Sequence, residues 1–375
     1  MNPNDRQNER QENFYHENEI KRTYTPEEAG HDRRRKPVSR FRRRRRKPVN
    51  PGAVLLILIF VMIAGICIYM IAARQPNIAE GGDTSEDLAL RPESTAPDPS
   101  AERFVTLSEE EIHTGDLILV NYAYPYAFPE SAEAEIISVA KEKTDLYYVR
   151  DSASRLRSTT IARLNVLAEA YYDATGFSGL QVNSGYRSYQ EQVDLYAEYT
   201  ETRGEEYARA YVANPGYSEH HTGLAMDLNV YVPGEGVYYI ESYEPCAWFR
   251  EHCADYGFIL RYPEEKVYIT GINYESWHYR YVGTPHSLIM EEQDLCLEEY
   301  VDYLKTFTYD GNRLLFDPAT GTSDTLAAGE AFERGTLIYY VPAADGETEC
   351  RIPGGCTYTI SGNNVDGFIV TAEKK

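Results

Sequence analysis

Tyr217-Ser-Glu-His-His-Thr-Gly-Leu-Ala-Met-Asp227 sets a histidine, His220, seven residues before a carboxylate, and Tyr274-Glu-Ser-Trp-His-Tyr-Arg280 adds a second histidine and a second acid. Two histidines, one carboxylate ligand and a spare glutamate are the components of a catalytic zinc site, which keeps one coordination position open for water. From Leu224 the even positions Leu224, Met226, Leu228, Val230 and Val232 are apolar, while Ala225, Asp227 and Asn229 fall on the other face. That period of two predicts a strand on which Asp227 points away from the core side. A regular strand over Trp277 to Val282 puts Glu275 and His278 on opposite faces. They can serve one metal only if Glu275 precedes the strand or a bulge intervenes.

The elements that must position these groups are legible in outline. Ile161, Leu164, Leu167, Ala168 and Tyr171 recur at helical spacing, with Gly176 as the stop. Leu180 to Asn183 reads as a strand running into the Ser184-Gly-Tyr-Arg-Ser188 turn, and Ser188 with Glu191 forms a capping box. Arg187 therefore precedes a helix start, in a loop. A helical stretch from Glu205 to Ala213 precedes the His/Asp motif, and Pro245 and Gly257 frame a helix over Glu244 to Tyr256. Short strands are expected at Asp116 to Val120 and Val267 to Ile272, and helix over most of His286 to Leu304. After Thr306, turns such as Asp310-Gly311 and Pro353-Gly-Gly355 punctuate short apolar strands, which predicts a small β appendage.

Taken together, Ser184-Gly-Tyr-Arg-Ser188, Ser218-Glu-His-His-Thr-Gly-Leu-Ala-Met-Asp227 and Glu275-Ser-Trp-His278 resemble the zinc carboxypeptidases of the VanY type. These trim D-alanine from peptidoglycan stem peptides as D,D-carboxypeptidases or, in close relatives, as L,D-carboxypeptidases. The resemblance runs from about residue 115 to 305, with the motifs in the family's order. His221 stands where the group often carries a glutamine. The resemblance implies an α+β fold, with helices packed on a small antiparallel sheet that carries the metal ligands. It further implies one Zn²⁺ held by His220, Asp227 and His278. Residue types alone leave the roles of Asp227 and Glu275 exchangeable; the resemblance makes Glu275 the general base.

Reading a free carboxylate calls for a two-pronged guanidinium, and Arg187 matches the family's arginine, with Arg280 a rival. Gln192 and Ser218 fall where the family offers polar contacts to substrate. Against these stand plainer readings. A lone histidine is usually structural, which is the better account of His221. Pro263-Glu-Glu265 reads as an exposed turn rather than a source of catalytic acids, and with 33 tyrosines in the chain, Tyr186, Tyr217 or Tyr274 near the cleft is as readily packing as function.

Ala53 to Ala73 contain no charge and span about 31 Å as a helix, one bilayer core. The run is too long, and too far from the N-terminus, for a cleaved signal peptide. Basic runs at Arg33 to Lys36 and Arg40 to Lys47 hold that side in the cytoplasm. Of the 37 basic residues 15 lie in the first 52 positions, against only 8 of the 59 acidic ones, so everything beyond the span is strongly acidic. That argues against a nucleic-acid partner. The expected organisation is a disordered basic tail (1–52), a transmembrane anchor (53–73), a flexible linker (74–104), a zinc carboxypeptidase domain (105–305) and the β appendage (306–375). The chain is thus expected to be a single-pass protein of a bacterial cell membrane, with its catalytic domain outside and peptidoglycan as partner. Cys350 and Cys356 bracket a turn and suit a small disulfide loop. Cys246 and Cys253, about 10 Å apart on one helix, are beyond bridging distance. The alternatives are an L,D-carboxypeptidase or endopeptidase on the same scaffold, or a catalytically silent wall-binding module.

Overall fold

The computed structural model describes residues 101–374; the basic tail, the apolar run 53–73 and nearly all of the linker lie outside the described residues. The strands are β1 (Arg103–Leu107), β2 (Ile136–Ser138), β3 (Tyr148–Val149), β4 (Arg155–Arg157), β5 (Leu180–Ser184), β6 (Ala225–Val232), β7 (Gly236–Tyr238), β8 (Phe258–Leu260) and β9 (His278–Tyr281). Beyond them come β10 (Arg313–Asp317), β11 (Thr322–Leu326), β12 (Gly335–Pro342), β13 (Thr348–Ile352), β14 (Thr357–Gly362) and β15 (Gly367–Lys374). Helices and strands mix in one α+β fold. Among the described residues no helix is long and apolar enough to cross a membrane.

One sheet has the order β3-β5-β6-β9-β8, with β7 also paired to β6. All its ladders are antiparallel except the edge pair β3–β5, which is parallel, so the expected purely antiparallel sheet is corrected to a mixed one. The alternation along β6 works as its sequence dictates: Leu224, Met226, Leu228 and Val230 lie at most 1% exposed in the first core cluster. The helix Ser158–Thr175 covers this face with Ile161, Leu164, Leu167, Ala168 and Tyr171 and ends at Gly176, whose φ of 71° closes the C-cap.

Two segments expected as strands are not. Asp116 to Val120 forms no strand: Asp116 lies in a bend and 117–120 are irregular. Ile118 and Val120 enter the first core and Leu117 and Leu119 a second, while Arg280 Nη2 donates to the Asp116 and Ile118 carbonyls at 2.9 Å. A buried guanidinium has taken the acceptors a neighbouring strand would use. Val267 to Ile272 is instead a turn of helix, Val267–Thr270, entered through the 3₁₀ turn Glu264–Lys266 after Pro263 and stopped by Gly271 at φ 71°. Its apolar look misleads because the solvent face carries Tyr268, 83% exposed.

The second sheet has the order β11-β10-β12-β15-β14, and β1, at the end of the expected linker, pairs antiparallel with β13. Along β12 alternate residues serve two cores. Ile338 and Tyr340 pack with Leu297, Tyr300, Val301 and Leu304 of the helix Leu297–Leu304, whereas Leu337 and Tyr339 pack on the opposite side. The residues before and after 305 therefore share a hydrophobic core. His286, at the start of the helix His286–Gln293, joins Tyr300 Oη at 2.8 Å to Thr371 Oγ1 of β15 at 3.0 Å. Cys350 and Cys356 are free thiols, as are Cys246 and Cys253. The disulfide expected across the 350–356 turn is absent; both sulfurs pack as small apolar groups in the core around Tyr339 and Phe368.

Candidate active site

Sheet register assembles the site. Asp227 on β6 lies opposite His278 on β9 and opposite Ser184 on β5, so the three sequence motifs meet at one level of the sheet. The helical turn Glu219–Thr222 brings His220 over the strand end, and Gly223, at φ 68°, turns the chain from it into β6. A side chain there would also collide with Ile136. Glu275 precedes β9: the His278 N–H donates to the Glu275 carbonyl at 3.2 Å, closing a turn that swings the carboxylate back. That resolves the parity problem, and Glu275 Oε2 comes within 3.6 Å of His278 Nδ1.

His220, Asp227 and His278 offer ligand atoms all within 4.8 Å of one another. His220 Nε2 is 3.4 Å from Asp227 Oδ2, and His278 Nδ1 is 3.2 Å from Asp227 Oδ1. The other two ring nitrogens differ: that of His220 is hydrogen-bonded, and that of His278 is not. His220 Nδ1 donates to the Gly185 carbonyl at 2.7 Å, leaving Nε2 with a lone pair toward Asp227. His278 Nε2 faces Glu219 Oε2 at 3.6 Å, leaving Nδ1 toward the carboxylates. Asp227 Oδ1 is buried without a hydrogen-bond partner. Two imidazole nitrogens and an unsatisfied carboxylate oxygen converging at this spacing fit a divalent cation, and a donor set of two nitrogens and one oxygen from three side chains fits a catalytic zinc. Burial works against Asp227's charge, yet His220 and His278 hold its carboxyl well below the usual range. Without a metal ion, burial of His278 is outweighed by Asp227 and Glu219, which push the imidazole up to about 9, so a cation taking its Nδ1 displaces a proton.

Glu219 was not singled out by its sequence context. It is 1% exposed, and its Oε1 accepts from Arg261 Nε at 2.7 Å and from Arg280 Nη1 at 2.9 Å. Arg261 in turn makes a two-pronged pair with Glu298 at 2.7 and 2.8 Å. Burial opposes ionisation of Glu219, but the two guanidiniums and His278 overcome it and hold the carboxyl well below its ordinary value. Its one sequence signal was adjacency to His220. Arg280, the rival for reading a carboxylate, is 0% exposed and wholly engaged by Glu219, the Tyr281 carbonyl and the 116–118 backbone.

Arg187 stands in the loop before the helix Tyr189–Arg203, whose Ser188–Glu191 capping box forms as expected. Nη1 donates to Gln192 Oε1 at 2.7 Å and Nη2 to Ser184 Oγ at 3.2 Å, and Asp227 and Glu275 both act on its charge. Gln192 lies fully buried behind it, its amide also donating to the Ala213 carbonyl at 2.6 Å, so its reach is to Arg187. Ser218 is 4% exposed at the N-cap of the Glu219–Thr222 turn. His221 sits beside the triad with both ring nitrogens turned to backbone. Burial lowers its pKa to about 4.

A candidate N,N,O metal site with a carboxylate and an arginine beside it, on an α+β scaffold, is the arrangement of a metallopeptidase. The comparisons agree. The family model of VanY, D-alanyl-D-alanine carboxypeptidase, matches residues 153–284. A D-alanyl-D-alanine carboxypeptidase of Enterococcus faecium is 39% identical over 270 residues, 71% of this chain and 78% of the relative. The bifunctional D-Ala-D-Ala dipeptidase and D-Ala-D-Ala carboxypeptidase VanXYC of Enterococcus gallinarum is 42% identical over 135 residues, 35% of this chain and 71% of its own. Among solved structures, the vancomycin-resistance D,D-dipeptidase VanXYg in complex with a D-Ala-D-Ala phosphinate analogue aligns with a TM-score of 0.61 at 34% identity, covering 73% of this chain and 100% of that one. The chain belongs to the VanY family of D-alanyl-D-alanine carboxypeptidases.

Proposed function

We propose that the chain removes the C-terminal D-alanine of peptidoglycan stem peptides at a one-zinc site formed by His220, Asp227 and His278. The observation that carries this reading is the convergence of those three side chains, with Glu275 3.6 Å from His278. When bound, the ion supplies Lewis acidity that polarises a carbonyl and makes water easier to deprotonate. Arg187, braced by Gln192 and Ser184, holds the terminal carboxylate and thereby orients the scissile bond. Glu275 takes a proton from the attacking water on its carboxylate and delivers it to the nitrogen of the departing D-alanine as the C–N bond breaks. Glu219 keeps the His278 ring oriented so that Nδ1 faces the site.

The same reading puts the enzyme on the outer face of a bacterial membrane. The charge-free run 53–73 flanked by basic residues on its N-terminal side supports one anchoring helix, and the acidic residues 74–100, which stop short of β1, support a tether toward the wall. The test is D-alanine release by the full chain from stem pentapeptide and from tetrapeptide, with and without chelator, beside a Glu275→Ala control. Chelator-sensitive release from the pentapeptide alone is expected. Release from the tetrapeptide alone would shift the specificity to L,D, and release from neither by zinc-loaded protein would sink the carboxypeptidase reading.

A further inference from the structure

His221 touches neither the three candidate ligands' shared space nor solvent: it is 0% exposed, and its bonds run to two loops. The Gly216 N–H donates to its Nε2 at 3.1 Å, which makes Nε2 the acceptor and leaves the ring proton on Nδ1. Nδ1 then donates to the Arg187 carbonyl at 2.6 Å. On the other side of the same residue, the Arg187 N–H donates to the His220 carbonyl at 3.1 Å. Consecutive residues of the motif thus grip Arg187 by both of its backbone groups, and one of those residues also supplies a candidate ligand. Phe128 at 4.9 Å and Tyr189 at 6.4 Å between ring centroids close on the imidazole and keep it from turning.

We infer that His221 is a positioning residue for substrate binding: it fixes Arg187 in register with the metal ligands, and so sets where the terminal carboxylate of the peptide is held. The inference rests on the reading that Arg187 receives that carboxylate. Its physical basis is that a guanidinium on a loop has many rotamers, while a two-pronged grip tolerates little displacement of its root. Gln192 and Ser184 steer the tip; His221 secures the base.

The experiment uses the full zinc-loaded chain and N-acetyl-D-alanyl-D-alanine, together with its C-terminal amide. His221→Phe keeps the ring volume and deletes both hydrogen bonds; KM for the acid is expected to rise about tenfold or more, with kcat changed by no more than about twofold. His221→Gln, which retains an amide donor and acceptor, should restore most of the loss. Zinc content should stay at one per chain in both. In an Arg187→Ala background His221→Phe should add little, and turnover of the amide should be insensitive to either His221 change. If the aromatic replacement does not fold, His221→Leu takes its place with the same expectation. An unchanged KM, or an undiminished effect in the Arg187→Ala background, would overturn the inference alone. An Arg187→Ala variant with wild-type KM would overturn the carboxylate reading and the inference with it.

Discussion

Replacing Glu219 by alanine tests whether the fold and the metal site share one buried charge. In the native chain a single carboxylate, 1% exposed, neutralises parts of two guanidiniums that are themselves 0% exposed, and faces His278 Nε2 at 3.6 Å. Arg261 keeps its pair with Glu298 after the change, and Arg280 keeps only neutral carbonyls. Removing one partner of such a buried pair costs about 3–5 kcal/mol, because the orphaned charge cannot reach water. For a folded unit of this size that corresponds to a fall in Tm of roughly 5–9 °C. If His278 holds zinc as proposed, losing the acid that faces its Nε2 should also weaken zinc binding about 10- to 100-fold. Calorimetric unfolding of the metal-free chain and competition with a chromophoric zinc chelator measure the two effects separately. Glu219→Gln, which keeps an acceptor for Arg261 and Arg280 but not the charge, should fall between. A Tm within about 2 °C of wild type, with unaltered zinc affinity, would refute the reasoning.

Glu275→Gln should retain zinc but lower kcat by roughly 100- to 10,000-fold, measured as D-alanine release beside metal analysis. Burial depresses His286 to about 3, so the folded chain refuses a proton that the unfolded chain accepts. Its contribution to stability is complete above the ordinary histidine pKa near 6.5 and shrinks as pH falls from there toward 3. It costs about 1.4 kcal/mol by pH 5.5, and His286→Gln should flatten that part of the pH–stability curve in denaturant titrations. Because Cys350 and Cys356 are unlinked, a reducing agent should leave Tm unchanged, and a drop on reduction would restore the disulfide expectation.

Much of the site was legible because its chemistry is local. The alternation from Leu224 to Val232 foretold which face of β6 carries Asp227, and Ser188 with Glu191 marked the helix that follows Arg187. Long apolar spacing identified the helix Ser158–Thr175 and its stop at Gly176. Each of these depends on residues a few positions apart, where periodicity and capping act directly. The tertiary structure decided whatever depends on which distant groups meet. Sheet register placed Asp227 against His278 and Ser184, and a turn before β9 brought Glu275 to the same side. Arg280 left the list of carboxylate readers because the folded chain buries it on Glu219 and the 116–118 backbone, and that occupation also kept Asp116 to Val120 out of any sheet. The two-pronged pair of Arg261 with Glu298, and the grip of His221 on Arg187, join residues 37 and 34 positions apart. No pattern along the chain signals such contacts, because a buried charge or an imidazole takes its partner from whatever packing brings within hydrogen-bond reach.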